Sequence, residues 1–121
     1  MAKILLADDS AFMRKILTNI LAKAGQTTII EASDGDEAVE IYKKENPDLI
    51  LLDIVMKRKY GTEALKDIMQ INRDAKILMV SAVGQEKVIE EAMGLGAKGF
   101  IVKPFKEEDV IKKVKEILGI A

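Results

Sequence analysis

The sequence predicts an α/β protein in which a parallel sheet is covered by helices on both faces. Five short apolar runs alternate along its 121 residues with five segments of helical period. The apolar runs are almost continuously hydrophobic, which is typical of parallel strands that are buried on both faces. The segments between them repeat apolar residues three or four positions apart, as helices with one buried face do. Strands and helices in this alternation form a doubly wound sheet.

The five apolar runs are predicted as strands because they are short, rich in branched residues and bounded by turn signals. They cover residues 4–7, 27–31, 49–52, 76–80 and 99–102. Five strand–helix units are too few for the eightfold barrel, so an open sheet is expected. The favoured strand order is 2-1-3-4-5, the flavodoxin-like arrangement, in which ligands bind outside the carboxyl ends of the first and third strands.

The five helices follow apolar stripes between start and stop signals. In the first, the stripe extends from Met13 to Ala24, and Gly25 supplies the stop. The second begins at Asp34, with Glu37 three residues later as in a capping box. The other three stripes comprise Ala64, Leu65, Ile68 and Met69; Val88, Ile89, Ala92 and Met93; and Val110, Ile111, Val114, Ile117 and Leu118.

The composition is that of an ordinary globular domain, with 49% hydrophobic and 32% charged residues. The net charge of −1 provides no basic field for nucleic acid or an anionic membrane. No apolar run approaches the ~18 residues of a membrane span, and the N-terminus lacks the layout of a signal peptide. We therefore expect a cytoplasmic monomer in which residues 1–121 form one domain, with no output domain after the fifth helix.

The sequence contains neither Cys nor His. The absence of Cys excludes disulfides, thiolate chemistry and Cys-based metal sites. The absence of His excludes an imidazole general base, His metal ligands and phosphohistidine on this chain. Any chemistry must therefore use carboxylates, hydroxyls, lysines and the backbone.

Four of the five predicted strands are followed at their carboxyl ends by a short segment with at least one polar residue. These segments are Asp8-Asp9-Ser10 after the first strand, Asp53 after the third, Ser81-Ala82 after the fourth, and Lys103-Pro104 after the fifth. In a parallel sheet these ends lie at one edge, so the side chains are expected to converge. Each residue also has a structural explanation, as a helix cap, a loop residue or a surface cation.

Asp53 lies within a run of seven apolar residues, LILLDIVM, at positions 49–56. Burial of an unpaired carboxylate is strongly unfavourable, and three acids at one edge repel one another. A hard cation relieves this repulsion, and Mg²⁺ takes one or two carboxylates together with waters and a phosphate oxygen. An acid beside Mg²⁺ and a lysine is a candidate nucleophile toward phosphorus, which would form an aspartyl phosphate.

The joint pattern of Asp8-Asp9, Asp53, Ser81-Ala82 and Lys103-Pro104-Phe105 resembles the receiver domain of two-component response regulators. The resemblance covers the whole chain, and DDSAFMRKIL and SAVGQ are most similar to single-domain chemotaxis regulators. It implies that Asp53 is the phosphoacceptor, and that Asp8, Asp9 and the Val55 carbonyl oxygen join it in binding Mg²⁺, or Mn²⁺ in its place. It also implies that Ser81, Ala82 and Lys103 contact the phosphoryl group and that a cis peptide bond precedes Pro104.

The resemblance further implies how the signal is received and passed on. A histidine kinase supplies the phosphoryl group, and a phosphatase is a further expected partner. Ser81 and Phe100 form a switch pair, and the surface of the fourth helix, fifth strand and fifth helix contacts a motor-switch or adaptor protein. The two family positions that flank the path of the hydrolytic water are Val55 and Val83 here, so slow dephosphorylation is expected.

One segment departs from the family pattern. Receivers usually carry Pro four residues after the phosphoacceptor and Gly four residues beyond it. Gly61 is present, but Lys57 occupies the Pro position within the basic run Lys57-Arg58-Lys59-Tyr60. The run is either a solvated loop or a surface that attracts phosphate-bearing or acidic partners. Loss of Pro is expected to increase the conformational freedom of this loop.

Three other functions share parts of the pattern. A flavodoxin-type FMN protein has the same architecture, but Asp8 and Asp9 would repel its phosphate unless a metal intervened. A haloacid-dehalogenase-like phosphatase also uses a strand-end Asp, but it requires a second acid two residues later, where this chain has Val55. The main alternative is a receiver-like docking module that needs no phosphate, and the complete set of acids, hydroxyl and lysine argues against it.

Overall fold

The computed structural model describes residues 2–120, in which five strands and five helices alternate. They are β1 (Lys3–Ala7), α1 (Ala11–Lys23), β2 (Thr28–Ala32), α2 (Gly35–Glu45), β3 (Leu49–Leu52), α3 (Gly61–Ile71), β4 (Ile77–Ser81), α4 (Glu86–Gly94), β5 (Gly99–Val102) and α5 (Glu107–Leu118). All strand pairs are parallel, in the order β2-β1-β3-β4-β5, which confirms the predicted fold. Within residues 2–120 no helix is long and apolar enough to cross a membrane.

The sheet separates two hydrophobic cores because successive strand residues point to opposite faces. In β1, Leu5 and Ala7 belong to the core shared with α2, α3 and α4, whereas Ile4 and Leu6 belong to the core shared with α1 and α5. All four residues of β3 are at most 1% exposed. Each buried Leu or Ile contributes about 1.5–3 kcal/mol to stability. The central strands therefore form a rigid framework that holds their carboxyl ends in place.

Two strands end one residue later in the chain than the sequence predicts. Strand β2 includes Ala32, whose carbonyl oxygen accepts a hydrogen bond from the Asp8 amide at 3.1 Å. Strand β4 includes Ser81, which pairs with Val102 and whose carbonyl oxygen accepts from the Lys103 amide at 2.9 Å. Ser81 is consequently the last residue of the sheet rather than the first of a loop, so its side chain has a fixed direction.

Local capping interactions determine where α1 and α2 begin. The Ser10 hydroxyl accepts from the Met13 amide at 3.1 Å, so Ser10 caps α1 and the acids before it do not. Asp34 caps α2 by accepting from the Glu37 amide at 2.8 Å. Glu37 in turn accepts from the Ser33 amide at 2.7 Å, one residue before the position expected for a capping box.

Candidate functional site

The parallel ladder continues one residue beyond three strands and positions the polar side chains that follow. The Asp53 amide donates to the Ala7 carbonyl oxygen at 2.9 Å, and the Asp8 and Lys103 amides donate to neighbouring strands in the same way. These backbone hydrogen bonds tie each residue to a buried strand. Asp8, Asp53 and Lys103 therefore meet at one edge of the sheet, as expected for residues that follow the carboxyl ends of parallel strands.

Three carboxylates form a cluster at this edge. Asp8, Asp9 and Asp53 each offer one carboxylate oxygen, and the three oxygens lie within 4.8 Å of one another. Asp8 and Asp53 are buried, at 3% and 7% exposure, whereas Asp9 is exposed. An all-oxygen cluster that is open on one side suits a hard, partly hydrated cation, so these residues fit Mg²⁺. Val55 lies in the loop that follows Asp53, and its side chain is 51% exposed, so this part of the loop is accessible to solvent.

The Lys103 ammonium group compensates the two buried acids. Its Nζ donates to Asp8 Oδ2 at 2.8 Å and to Asp53 Oδ2 at 3.2 Å. Burial acts to lower the pKa of Lys103, but the hydrogen bond and charge of Asp8 and those of Asp53 outweigh it, so the pKa is raised. Lys103 is therefore a fixed cation at neutral pH.

Each buried acid also receives a backbone hydrogen bond on its second oxygen. Asp53 Oδ1 accepts from the Ile54 amide at 2.7 Å, and Asp8 Oδ1 accepts from the Ser10 amide at 2.9 Å. Hydrogen bonds from amides offset the cost of burying polar oxygens. Together with Lys103 they explain how Asp53 is accommodated within an otherwise apolar segment.

Ser81 is the last residue of β4, the strand adjacent to β3, which Asp53 follows. It is fully buried, and its Oγ accepts from the Val83 amide at 3.2 Å. Ala82 is exposed and Val83 is partly exposed, so the segment after β4 lies at the surface. A buried hydroxyl next to an open segment can change partners without an extensive repacking of the core.

Phe100 lies on the same face of the sheet as Ser81. In the register of β4 and β5, Met79 pairs with Phe100 and Ser81 pairs with Val102. Because side chains alternate along a strand, Ser81, Met79 and Phe100 all point toward the core below α3 and α4. Phe100 is partly buried against that core. The proposed switch residues are thus diagonal neighbours on adjacent strands.

Two further backbone features adjoin the site, at Gly61, the first residue of α3, and at the peptide bond before Pro104. A Cβ atom at Gly61 would lie 1.9 Å from the Asp53 carbonyl oxygen, so no larger residue fits there without moving the backbone of the acid. The Lys103–Pro104 peptide bond is cis, as the family resemblance implies.

Arg14 is a contributor that sequence patterns do not reveal. Its Nη1 donates to the Asp8 carbonyl oxygen at 2.6 Å, and its Nε pairs with Glu31 at 2.8 Å. The side chain thereby joins α1 to the ends of β1 and β2. On an amphipathic helix, Arg14 is indistinguishable from a surface cation, and no spacing in the sequence links it to Asp8.

The chain matches the response regulator receiver domain family over residues 4–115, and it belongs to that family. The chemotaxis protein CheY of Bacillus subtilis is 45% identical over 117 residues, which cover 97% of this chain and 98% of that protein. The chemotaxis protein CheY of Halobacterium salinarum is 42% identical over 119 residues, or 98% of each chain. The similarity to single-domain chemotaxis regulators that the sequence motifs indicate is confirmed.

Solved structures agree with this assignment. A chain in the crystal structure of the CheX–CheY–BeF3–Mg complex from Borrelia burgdorferi has a TM-score of 0.90 and 37% identity, and the match covers 96% of this chain and 88% of that one. A CheY-like response regulator receiver domain protein from Methanospirillum hungatei has a TM-score of 0.92 at 26% identity, with 98% of this chain and 94% of that one covered. Membership in the receiver family disfavours the flavodoxin-type and phosphatase alternatives.

Proposed function

We propose that Asp53 accepts a phosphoryl group from the phosphohistidine of a histidine kinase and that this chain acts as a response regulator in chemotaxis. A carboxylate oxygen of Asp53 attacks phosphorus, the bond from phosphorus to the donor imidazole nitrogen breaks, and that nitrogen keeps the bonding electrons. The observation that carries the proposal is the position of the Asp53 carboxylate, hydrogen-bonded to Lys103 within the three-acid cluster. Because the chain has no His, the donor must be another molecule.

Several residues are assigned supporting roles in this transfer. Asp8, Asp9, Asp53 and the Val55 carbonyl oxygen would hold Mg²⁺, which supplies positive charge where phosphoryl oxygens approach. Lys103 is assigned to contact one phosphoryl oxygen through its ammonium group. The Ser81 hydroxyl and the Ala82 amide are assigned to donate to the others. The domain would be a phosphoacceptor that assists its own phosphorylation and slow dephosphorylation, without turning over a separate substrate.

The output of this regulator is proposed to be protein docking. The partner is a motor-switch or adaptor protein that contacts the surface of α4, β5 and α5, and a phosphatase is proposed to end the signal. The Borrelia burgdorferi CheY is found in a complex with a second protein, CheX, which supports a protein partner for a regulator of this kind. We propose that the domain acts as a monomer in the cytoplasm, where kinase and output protein would be reached by diffusion.

Incubation with a small phosphodonor and Mg²⁺, followed by intact mass spectrometry, tests the phosphoacceptor assignment. We expect one phosphoryl group per chain, sensitive to hydroxylamine as an acyl phosphate is. Asp53→Asn should abolish the mass increase. Asp109→Asn is the matched control, because Asp109 is an exposed acid in the first turn of α5 and should leave labelling unchanged. Equal labelling of the Asp53 variant and the wild type would refute the assignment and favour the phosphate-independent docking module.

A further inference from the structure

The basic segment at residues 57–60 lies in the loop that carries the Val55 carbonyl, between β3 and α3. We refer to residues 53–60 as the β3–α3 loop. At its two ends the loop is closed by one hydrogen bond, from the Gly61 amide to the Ile54 carbonyl oxygen at 2.7 Å. Tyr60 stands at the N-cap of α3 without a side-chain capping hydrogen bond. Neither the hydrogen bond at the loop ends nor a side-chain cap at Tyr60 fixes the conformation of residues 57–59 in the middle of the loop.

The backbone in the middle of this loop is strained. Arg58 has φ of +68°, a conformation that residues with a side chain rarely adopt. Its two neighbours are joined by a hydrogen bond: the Lys59 amide donates to the Lys57 carbonyl oxygen at 2.8 Å, which forms a tight three-residue turn centred on Arg58. Such a turn persists only where its surroundings hold it in place.

Ion pairs from the loop to two helices provide that restraint. Lys59 Nζ pairs with Asp67 of α3 and, at 3.7 Å, with Asp36 of α2. Arg58 Nε lies 3.7 Å from Asp34, the N-cap of α2. The Lys59 side chain is 25% exposed and is the less exposed of the two cations, since the Arg58 side chain is 72% exposed.

The backbone of the loop also rests directly on α2. A Cβ atom at Gly35, the first residue of α2, would lie 2.1 Å from the Lys59 carbonyl oxygen. Lys59 is therefore fixed at both its carbonyl group, against Gly35, and its ammonium group, between two carboxylates. No other residue of the β3–α3 loop has ion pairs to two different helices among those that the structure describes.

We propose that Lys59 is a positioning residue for the metal site: by bridging Asp36 and Asp67 it fixes the β3–α3 loop and thereby holds the Val55 carbonyl toward the acid cluster. The inference rests on the proposed function, in which that carbonyl is a metal ligand. Lys59 replaces with ion pairs the rigidity that a proline would otherwise supply to this loop. Within the basic run, Lys59 then acts inside the molecule rather than as an attractant for acidic partners.

The Mg²⁺ affinity of Lys59→Gln, measured by titration calorimetry, tests this role. We expect the dissociation constant to rise about tenfold, as it does when residues that orient metal ligands are removed. The direction of this change is diagnostic. Removing a positive charge near a cation site should by itself strengthen Mg²⁺ binding, so weaker binding by a variant that remains folded indicates lost positioning.

Three further variants serve as controls. Lys57→Gln removes the same charge from the same loop, but the Lys57 side chain has no ion pair among residues 2–120, so Mg²⁺ affinity should be unchanged or slightly higher. Lys59→Arg keeps the charge and the reach to both acids, and it should restore affinity to within about twofold of wild type. Asp67→Asn should weaken Mg²⁺ binding in the wild-type background and add nothing to Lys59→Gln.

Equal Mg²⁺ affinities for Lys59→Gln and Lys57→Gln would overturn the proposal. A loss of unfolding free energy in Lys59→Gln with unchanged affinity would do the same, because it would show a purely structural ion pair. Metal titration needs no phosphodonor, so this result is separable from the phosphoacceptor assignment. If Asp53 fails to label while Lys59→Gln still weakens Mg²⁺ binding, only the proposed function has failed.

Discussion

Lys103 Nζ lies 2.8 Å from Asp8 Oδ2 and 3.2 Å from Asp53 Oδ2, so one ammonium group bridges acids that follow β1 and β3. All three side chains are largely buried, with exposures of 16%, 4% and 9%. The same two acids are proposed metal ligands. Lys103 therefore stabilises the site without metal and opposes the binding of a second cation there.

The first prediction concerns Lys103→Gln. Without Mg²⁺ the variant should lose about 3 kcal/mol of unfolding free energy, because two buried carboxylates lose their counter-charge. Its Mg²⁺ affinity should rise by about tenfold, since a neighbouring positive charge has been removed. Urea denaturation in a chelator and titration calorimetry measure the two effects. Lys106→Gln, at an exposed lysine three residues later, is the control. An unchanged or lower Mg²⁺ affinity would contradict the bridging role.

Replacement of Asp8 and of Asp9 by Asn should have different effects on the unfolding free energy, although both should weaken Mg²⁺ binding. Asp9 is exposed, so Asp9→Asn should weaken Mg²⁺ binding while unfolding free energy stays the same or rises as repulsion is relieved. Asp8 pairs with Lys103 and accepts from the Ser10 amide, so Asp8→Asn should weaken Mg²⁺ binding and also destabilise the fold. Comparison of both variants by urea denaturation and calorimetry checks this. Loss of stability in Asp9→Asn with normal Mg²⁺ affinity would identify Asp9 as structural.

The convergence of Asp8, Asp53 and Lys103 was predictable because it depends only on topology. Alternating strands and helices dictate a parallel sheet, and its carboxyl ends lie on one edge. The inward direction of Ser81 was not predictable, because it depends on the end of β4, which differs from the predicted end by one residue. Strand ends depend on hydrogen bonds from neighbouring strands, which local periodicity does not contain.

The contacts of Arg14 and Lys59 were also beyond sequence patterns. Arg14 donates a hydrogen bond to the Asp8 carbonyl oxygen, and Lys59 pairs with Asp36 of α2, which is separated from Lys59 in the chain by β3. Both contacts depend on how helices pack on the sheet and on which rotamer a long side chain adopts. Charged residues of this kind are common on any surface, so their number and spacing carry no signal.

The Lys59 ion pairs should give a characteristic dependence of stability on pH. The hydrogen bond that Lys59 donates to Asp67 raises the pKa of Lys59; burial partly opposes this, and the charges of Asp67 and Asp36 raise the pKa further. Because the folded pKa exceeds the unfolded value of 10.5, the stabilisation is complete below pH 10.5 and is lost as pH rises through the folded pKa. The difference in unfolding free energy between wild type and Lys59→Gln should be constant at neutral pH and shrink above pH 10.5. If this difference in unfolding free energy instead became smaller as the pH was lowered from 10.5 to 7, the assignment would be contradicted.

The lifetime of the phosphorylated state should depend on Val55 and Val83. Val55 is half-exposed and Val83 is partly exposed, and neither side chain can orient a water molecule by hydrogen bonding. Val55→Asn or Val83→Glu should accelerate hydrolysis about tenfold if one productive contact to water is gained. Decay of the phosphorylated mass after removal of the donor measures the rate, and Val102→Asn, at an exposed position of β5, is the control. Unchanged decay in both variants would mean that other residues govern water access.

The last prediction concerns transmission from Ser81 to Phe100. A phosphoryl group on Asp53 adds close to two negative charges and three acceptor oxygens. The Ser81 hydroxyl, which accepts from the Val83 amide at 3.2 Å, should then donate to one of these oxygens. This movement vacates space on the face of the sheet that Ser81 shares with Phe100.

Phe100 is partly exposed and can rotate into that space. Full burial of a Phe side chain contributes roughly 1.5–3 kcal/mol, enough to shift a two-state equilibrium about tenfold to a hundredfold. Phe lacks the hydroxyl of Tyr, so packing alone must hold the inward state. NMR of the domain with and without a phosphate mimic should therefore show shifts near Asp53 and also on α4 and α5. Ser81→Ala should retain the shifts near Asp53 and lose those on the helices, whereas Ser33→Ala, at an exposed serine after β2, should retain both. Wild-type shifts confined to the Asp53 pocket would refute the coupling and leave the phosphoacceptor assignment intact.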